Sequence, residues 1–481
     1  MHTVEKIGGT SMSQYDAVRD NIILKGASPE RACAAGIYNR MFVVSAYGGI
    51  TDRLLENKRT GEPGIFGQFA NHEQGSAWQD SLQTAREEMT AINRRWFGET
   101  PLCAGANRFI CARLDNAETC LKQLETLCHH GHFSLQDHLQ TVREMLASIG
   151  EAHSAWNMAS LLQRDGINAV FVDLTGWQSQ HVKHLDDHIR DSLARLDTGR
   201  ELPIITGYAR CLEGLMSTFD RGYSEIIFSR IAVISKASEA VIHKEYHLSS
   251  ADPRVVGSRA VPIGRTNYDV ADQLANLGME AIHPNATKGL RRANIPLRVK
   301  NTFEPKHSGT LITNGYTSEK PHVEIIAGCK NVYALELFDQ DMMGKIESYD
   351  RSILAKLNLF KVQLITKDTN ANTITHYLAS NLKTVKRIQS VLTEKFPDAD
   401  IGVRKVAILS AIGSDMHVPG ILAKTVTALA AADISVLAIH QSMRQVDIQF
   451  VVAVSDYEQG VRSLHRCLVE EHDHGIAVCA A

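Results

Sequence analysis

The last third of the chain nearly repeats itself, and that repeat narrows the available folds more than any other feature. One apolar strand begins at Val332 and another at Val406, about 74 residues on. Asp341-Met342 answers to Asp415-Met416, and helix-like stretches follow at 348–357 and 418–431. Second strands open at Val362 and Val436, and third strands run over 373–378 and 446–454. Each copy reads strand, helix, strand, strand, helix, which predicts two tandem βαββ-type modules.

The start of the chain follows a different grammar. A short strand over 3–7 ends in G-G-T-S, a helix-like stretch covers 15–24, and a second strand over 41–46 ends at Gly48-Gly49. Strand, glycine turn and helix in alternation predict an α/β domain. Residues 61–68 read as a loop, and 70–165 as helical. Strands return at 169–174 and 203–206, a helix at 224–234 and a strand at 239–243. Residues 296–300 read as the last strand of this unit, and T-N-G-Y-T-S-E-K-P at 313–321 as a linker. The resulting division is 1–312 for the first domain, 313–328 for the linker, and 329–398 and 399–481 for the two modules. That agrees with about three domains for 481 residues.

Composition removes several function classes. Lys and Arg number 51 against 54 Asp and Glu, a net charge of -3, so no bulk polycation invites nucleic acid or an anionic membrane. No uninterrupted apolar run reaches the ~18 residues of a membrane span. The N-terminus M-H-T-V-E-K-I-G-G has no apolar signal core, and the expected location is the cytoplasm. The nine cysteines are odd in number and none pairs as C-x-x-C, against a disulfide framework or a cysteine zinc site.

The chemistry concentrates at glycine turns. Lys6-Ile7-Gly8-Gly9-Thr10-Ser11 lies between a strand and a helix, where glycines let backbone N–H groups approach phosphate beside a full cation. It lacks the G-x-x-x-x-G-K-[ST] order of a Walker loop. Ser45-Ala46-Tyr47-Gly48-Gly49-Ile50-Thr51-Asp52 forms a second turn, and two such turns at one edge of a parallel sheet face each other across a crevice. M-S-T-F-D-R-G-Y-S-E at 216–225 opens a helix with Arg221, which can hold a carboxylate bidentately, followed by Ser224 and Glu225. G-E-A-H-S places Glu151 in a helix, and S-S-A-D-P-R ends in Arg254.

K-I-G-G-T-S, S-A-Y-G-G-I-T-D, G-E-x-x-S, R-G-x-S-E, A-D-P-R-V-V and H-P-N occur in the order found in aspartokinases. The chain resembles that family of the amino-acid kinase superfamily over nearly its whole length. F-V-D-L-T-G-W, H-L-S-S-A-D-P and Q-S-M-R-Q-V-D are similar to the subgroup that accompanies ectoine synthesis. The resemblance implies an α/β fold: a three-layer sandwich kinase domain followed by two ferredoxin-like (βαββαβ) ACT domains, with a C-terminal strand able to complete the first of them. It implies ATP and Mg²⁺ as cofactors, with no residue assigned to a metal, and L-aspartate as phosphoryl acceptor. Lys6 would meet the transferring phosphoryl group, with Gly8 and Gly9 donating N–H groups. Ser45, Thr51, Glu151, Arg221 and Ser224 would form the aspartate pocket, and Lys244, Ser249 and Arg254 would lie on the nucleotide side. Met416, Val418, Pro419 and Gly420 resemble an ACT loop that holds a small amino-acid effector at a subunit interface, and a homo-oligomer, a dimer or larger, is implied.

The residue types suit that reaction. A side-chain carboxylate with an ordinary pKa of ~3.9 is ionised at neutral pH and needs no general base. The obstacle is bringing one anion up to another, so catalysis reduces to positioning and charge neutralisation. Arg221 suits an α-carboxylate and Glu151 an α-ammonium. Two positions depart from the family: Lys244 stands where relatives carry Asp, and Glu280 where they carry Lys. Their opposite changes point to a charge-swapped pair beside the nucleotide. The alternative reading is a catalytically weakened, amino-acid-sensing regulatory subunit of the same family.

Overall fold

The computed structural model describes residues 1–26, 36–58, 60–71, 76–219, 222–278 and 282–470. Contacts divide the chain into two compact units: Met1–His247 with Asn285–Asn314, and Leu248–Pro284 with Gly315–Ala481. The division does not follow chain order. Ala251 and Val256 belong to the same apolar cluster as Leu409, Phe450 and Leu464.

Strands in chain order are β1 (Thr3–Ile7), β2 (Arg40–Val44), β3 (Ala169–Val172), β4 (Leu202–Thr206), β5 (Glu239–Lys244), β6 (Arg265–Asn267), β7 (Leu297–Asn301) and β8 (Thr310–Thr313). All but β6 lie in the first unit. There they stand in the order β3-β4-β2-β1-β5-β7-β8. Every pairing from β3 to β7 is parallel, and β8 joins β7 antiparallel. Residues 296–300 therefore do not end the sheet. The four residues T-L-I-T are too short, in too polar a setting, to stand out as a strand.

β2 and β4 are buried along their whole length, as expected of parallel strands covered on both faces. Central β1 nonetheless carries Glu5 and Lys6, one on each face. A buried charge persists only when paired. Glu5 accepts two bonds from the Arg40 guanidinium, at 2.6 and 2.9 Å, and lies 2.7 Å from His243 Nε2. These partners hold its carboxyl far below the usual range, against burial, the largest influence, which alone would raise it. On the Lys6 face lie the helices Gln136–Arg164 and Tyr223–Ile234. The segment 15–24 covers the other face, where the Ile22 and Ile23 carbonyls accept from Arg40. That segment is helical as expected, though Val18–Ile23 is wound as a π-helix. Residues 61–68, read as a loop, contain the start of the helix Ile65–Ala70. Ile65 and Phe69 bury one face of it at an i, i+4 spacing that six residues scarcely reveal.

In the second unit the strands continue as β9 (Ile325–Phe338), β10 (Gln363–Thr369), β11 (Thr373–Ala379), β12 (Asp400–Ile412), β13 (Ala438–Gln441) and β14 (Asp447–Val452). β9 begins within the stretch read as linker. Matching elements start at Ile325 and Asp400, at Ile346 and Ile421 (the helices), and at Gln363 and Ala438, so the repeat holds in space. The six strands form one sheet, β10-β11-β9-β12-β14-β13. β9 and β12 are long because each serves both modules. Asp400–Val406 pairs with Val332–Phe338 and so supplies the fourth strand of the first module, while Ile325–Cys329 pairs with Ile408–Ile412 and supplies that of the second. The register shifts between Val406 and Ile408, where one module passes into the other. Residues 471–481, the C-terminal stretch offered for the first module, lie outside the described residues; the edge it was to fill is held by β12. Among the described residues no helix is long and apolar enough to cross a membrane.

Candidate active site

The two glycine turns meet at the C-terminal edge of the first unit's sheet. β1 runs into Gly8-Gly9 and β2 into Ser45, whose N–H donates to the Ile7 carbonyl at 3.2 Å. A Cβ on Gly9 would stand 2.6 Å from the Ala46 carbonyl oxygen, so only glycine lets the turns close on each other. Ser13 Oγ accepts from the Gly48 N–H at 3.0 Å and ties them together. Gly8 departs from expectation. Its N–H donates to the His243 carbonyl at 3.3 Å, extending the β1–β5 ladder, and is not turned toward a ligand.

Lys6 is 6% exposed, and its Nζ lies 3.5 Å from Glu225 Oε1 in the first turn of the helix Tyr223–Ile234. Glu225 is the partner that sequence reasoning noticed in that turn without assigning it a task. Ser224, beside it, receives a 3.3 Å hydrogen bond from Ser45 Oγ. Thr51 sits half-buried in the helix Ile50–Leu54 that leaves the second turn.

The helix Gln136–Arg164 brings Glu151 to this place, and the G-E-x-x-S motif explains itself there. Gly150 is needed because a Cβ would fall 2.7 Å from Ala46 Cβ. Ser154, one turn on, donates through Oγ to the Ser45 carbonyl at 2.8 Å. Between them Glu151 is 2% exposed. Its Oε1 accepts from the Tyr223 hydroxyl at 2.8 Å, while its buried Oε2 has no hydrogen-bond partner among the described residues. Burial pushes its pKa up to about 7. The Tyr223 hydroxyl, the main-chain N–H groups of Glu151 and Ala46, and Lys6 pull the other way.

Lys6, Gly9, Ser45, Thr51, Glu151 and Ser224 thus gather at one edge. Lys244 ends β5 at the same edge, and its carbonyl accepts from the Thr302 N–H at 2.8 Å. Arg221 and Glu280 lie outside the described residues, so the pairing of Lys244 with Glu280 has no geometry here. Ser249 and Arg254 belong to the second unit. Arg254 grips Asp252, with Nη2 2.8 Å from Oδ2, at the start of the helix Pro253–Val256. Of the expected effector residues, Met416 is 1% exposed inside the apolar cluster of the second unit, so its side chain serves packing rather than a ligand. Val418 is half-buried, Pro419 is exposed, and Gly420 has φ 78° at the start of the helix Ile421–Ala431.

A parallel sheet whose C-terminal edge gathers Lys6, Glu151 and two glycine turns, in a chain that also carries paired βαββα modules, defines the class. Residues 1–301 match the amino acid kinase family and residues 409–468 the ACT domain. An aspartate kinase of Stutzerimonas stutzeri A1501, Ask_Ect, is 53% identical over 482 residues, covering all of both chains. The chloroplastic aspartokinase 1 of Arabidopsis thaliana is 26% identical over 381 residues, 74% of this chain and 65% of its own. The crystal structure of E. coli aspartokinase III in complex with aspartate and ADP covers 97% of this chain and 100% of its own, with a TM-score of 0.72 at 20% identity, a likeness of fold. The chain belongs to the aspartate kinases of the amino acid kinase family.

Proposed function

We propose that this chain transfers the γ-phosphoryl group of ATP to the side-chain carboxylate of L-aspartate, giving 4-phospho-L-aspartate and ADP. The observation that carries the reading is Glu151, a buried carboxylate with one oxygen held and the other without a partner among the described residues, beside Lys6 and the two glycine turns. An α-ammonium placed on Oε2 would satisfy that oxygen and favour the ionised acid, since an opposite charge at contact lowers a carboxyl pKa. Arg221 would take the α-carboxylate, a role resting on the R-G-x-S-E motif. Ser45, Thr51 and Ser224 would orient the substrate between these ends. One cation and one anion together select an amino acid over a plain dicarboxylate.

The acceptor needs no base, so the chain's task is electrostatic. Lys6 would leave its long contact with Glu225 for the phosphoryl oxygens, and the turn at Gly9 lets the nucleotide come close. Among the described residues no three His, Cys, Asp or Glu side chains gather as a metal cage. Mg²⁺ would arrive on the polyphosphate as part of the MgATP substrate, held largely by phosphate oxygens and water. Lys244, Ser249 and Arg254 remain the nucleotide-side candidates on the family motifs.

The E. coli enzyme has also been crystallised with lysine and aspartate. The paired modules here would sense a small amino acid, and a homo-oligomer, a dimer or larger, would form through them. A cytoplasmic location fits the substrates. The relative at 53% identity bears the name Ask_Ect, and the reaction would open aspartate-derived amino acid or ectoine synthesis.

Coupled detection of ADP, with hydroxylamine trapping of the acyl phosphate, tests the reading. Aspartate should support turnover and glutamate should not. Failure of aspartate to support turnover, with an amino acid still bound, would instead establish the weakened regulatory subunit.

A further inference from the structure

The face of the helix Gln136–Arg164 that carries Glu151 also carries Glu144, seven residues earlier and therefore on the same side. Each glutamate receives a tyrosine hydroxyl. Tyr208 donates to Glu144 Oε2 at 2.6 Å and Tyr223 to Glu151 Oε1 at 2.8 Å. The two rings meet edge-on, with centroids 5.6 Å apart and planes at 81°, and both tyrosines are 2% exposed. The other Glu144 oxygen accepts the main-chain N–H of Met216 at 2.7 Å and of Ser217 at 3.2 Å. A continuous strut thus runs from the 215–219 helix through Glu144, Tyr208 and Tyr223 to Glu151. Nothing in the phosphoryl-transfer chemistry requires it.

We propose that Tyr223 is a positioning residue for substrate recognition: its hydroxyl fixes the rotamer of Glu151, and the edge-on contact with Glu144-anchored Tyr208 fixes Tyr223. The inference rests on the reading of Glu151 as the ammonium acceptor. A carboxylate free to turn would spend part of its time away from the amino group. Held by one oxygen in a water-poor site, it presents the other in a single direction. The hydroxyl also favours the ionised acid that an ammonium requires. Among the described residues the titratable and charged groups facing Glu151 are Lys6, Tyr208 and Tyr223. Among the described residues Tyr223 is the side chain that hydrogen-bonds to the carboxylate, so its loss moves the balance toward the protonated form.

The test is Tyr223→Phe in the full-length enzyme. The KM for aspartate should rise roughly tenfold, about 1.4 kcal/mol, with the KM for ATP unchanged. The acid limb of kcat/KM for aspartate should move to higher pH. Tyr208→Phe keeps the Tyr223 hydroxyl, so it should lower Tm while leaving that limb in place. If Tyr208→Phe moved the limb as far as Tyr223→Phe, packing rather than the hydrogen bond would be the cause and the proposal would fall. Glu151→Gln separates the inference from its foundation. If it raises the aspartate KM while Tyr223→Phe changes neither KM nor limb, Tyr223 is not the positioning residue. If Glu151→Gln itself leaves the KM unchanged, the underlying reading fails. In the Glu151→Gln background Tyr223→Phe should add little, the mark of a coupled pair. Should the phenylalanine variant not fold, 3-fluorotyrosine at 223, a stronger donor, should move the limb downward, and an unmoved limb would overturn the proposal.

Discussion

Replacing Glu151 by Gln should make the free protein more stable while crippling recognition of its substrate. The carboxyl is fully buried, with its pKa raised from 4.5 to about 7. A raised folded-state value means that the folded protein holds its proton more tightly than the unfolded chain. The stability from that preference is complete below about pH 4.5 and is lost as pH climbs to about 7. At about 1.36 kcal/mol per pKa unit, the loss by pH 8 is about 3 kcal/mol. Glutamine has the shape of the protonated acid, keeps the acceptor for Tyr223 and cannot ionise. Glu151→Gln should therefore exceed wild type by up to about 3 kcal/mol at pH 8 and by less than ~1 kcal/mol at pH 5. Chemical denaturation of the substrate-free protein at the two pH values measures this. The same substitution removes the partner of the α-ammonium. A hydrogen bond to a charged group contributes about 1.5–3 kcal/mol, so the aspartate KM should rise about 10- to 150-fold. The preference for aspartate over succinate, which lacks the ammonium, should shrink with it. Equal destabilisation at both pH values, or a KM within twofold of wild type, would refute the reasoning.

Two further outcomes follow from the crevice. Lys6→Met should lower kcat by roughly 10²–10³-fold, the scale for losing one preorganised charge-stabilising group, with the aspartate KM changed less than about threefold; a loss confined to KM would remove Lys6 from the transferring phosphoryl group. Gly150→Ala drives a methyl to 2.7 Å from Ala46 Cβ, so thermal unfolding should show about 1–3 kcal/mol of destabilisation. Adding Ala46→Gly should restore at least half of it, and no rescue would mean that the helix and turn do not meet as described.

Much of this site was legible because its signals are local. K-I-G-G-T-S and S-A-Y-G-G each combine an apolar strand with residues able to turn sharply, and both fall at one sheet edge. G-E-x-x-S reads residue by residue: Gly150 for close approach, Glu151 for charge, Ser154 for a bond to the Ser45 carbonyl. The partners of these residues were not legible. Glu225 as counter-ion to Lys6, Tyr223 as donor to Glu151 and Tyr208 as its support come from distant stretches, and no periodicity connects them. Gly8 looked like a phosphate ligand because sequence cannot say whether an amide is already spent within the sheet. Met416 looked like part of a ligand loop because a turn residue and a core residue have the same one-letter code.

The repeat near 74 residues and the strand–turn–helix order settled the fold class from sequence, because backbone geometry and side-chain periodicity act over a few residues at a time; the reaction came from the resemblance of the motifs to those of aspartokinases. Which strand completes each C-terminal module, where β8 pairs, and the company kept by Leu248–Pro284 were decided only in three dimensions. Those outcomes depend on which of several compatible surfaces meet when the whole chain buries its apolar area. That competition is between residues tens to hundreds of positions apart, and its result is not written at any one of them.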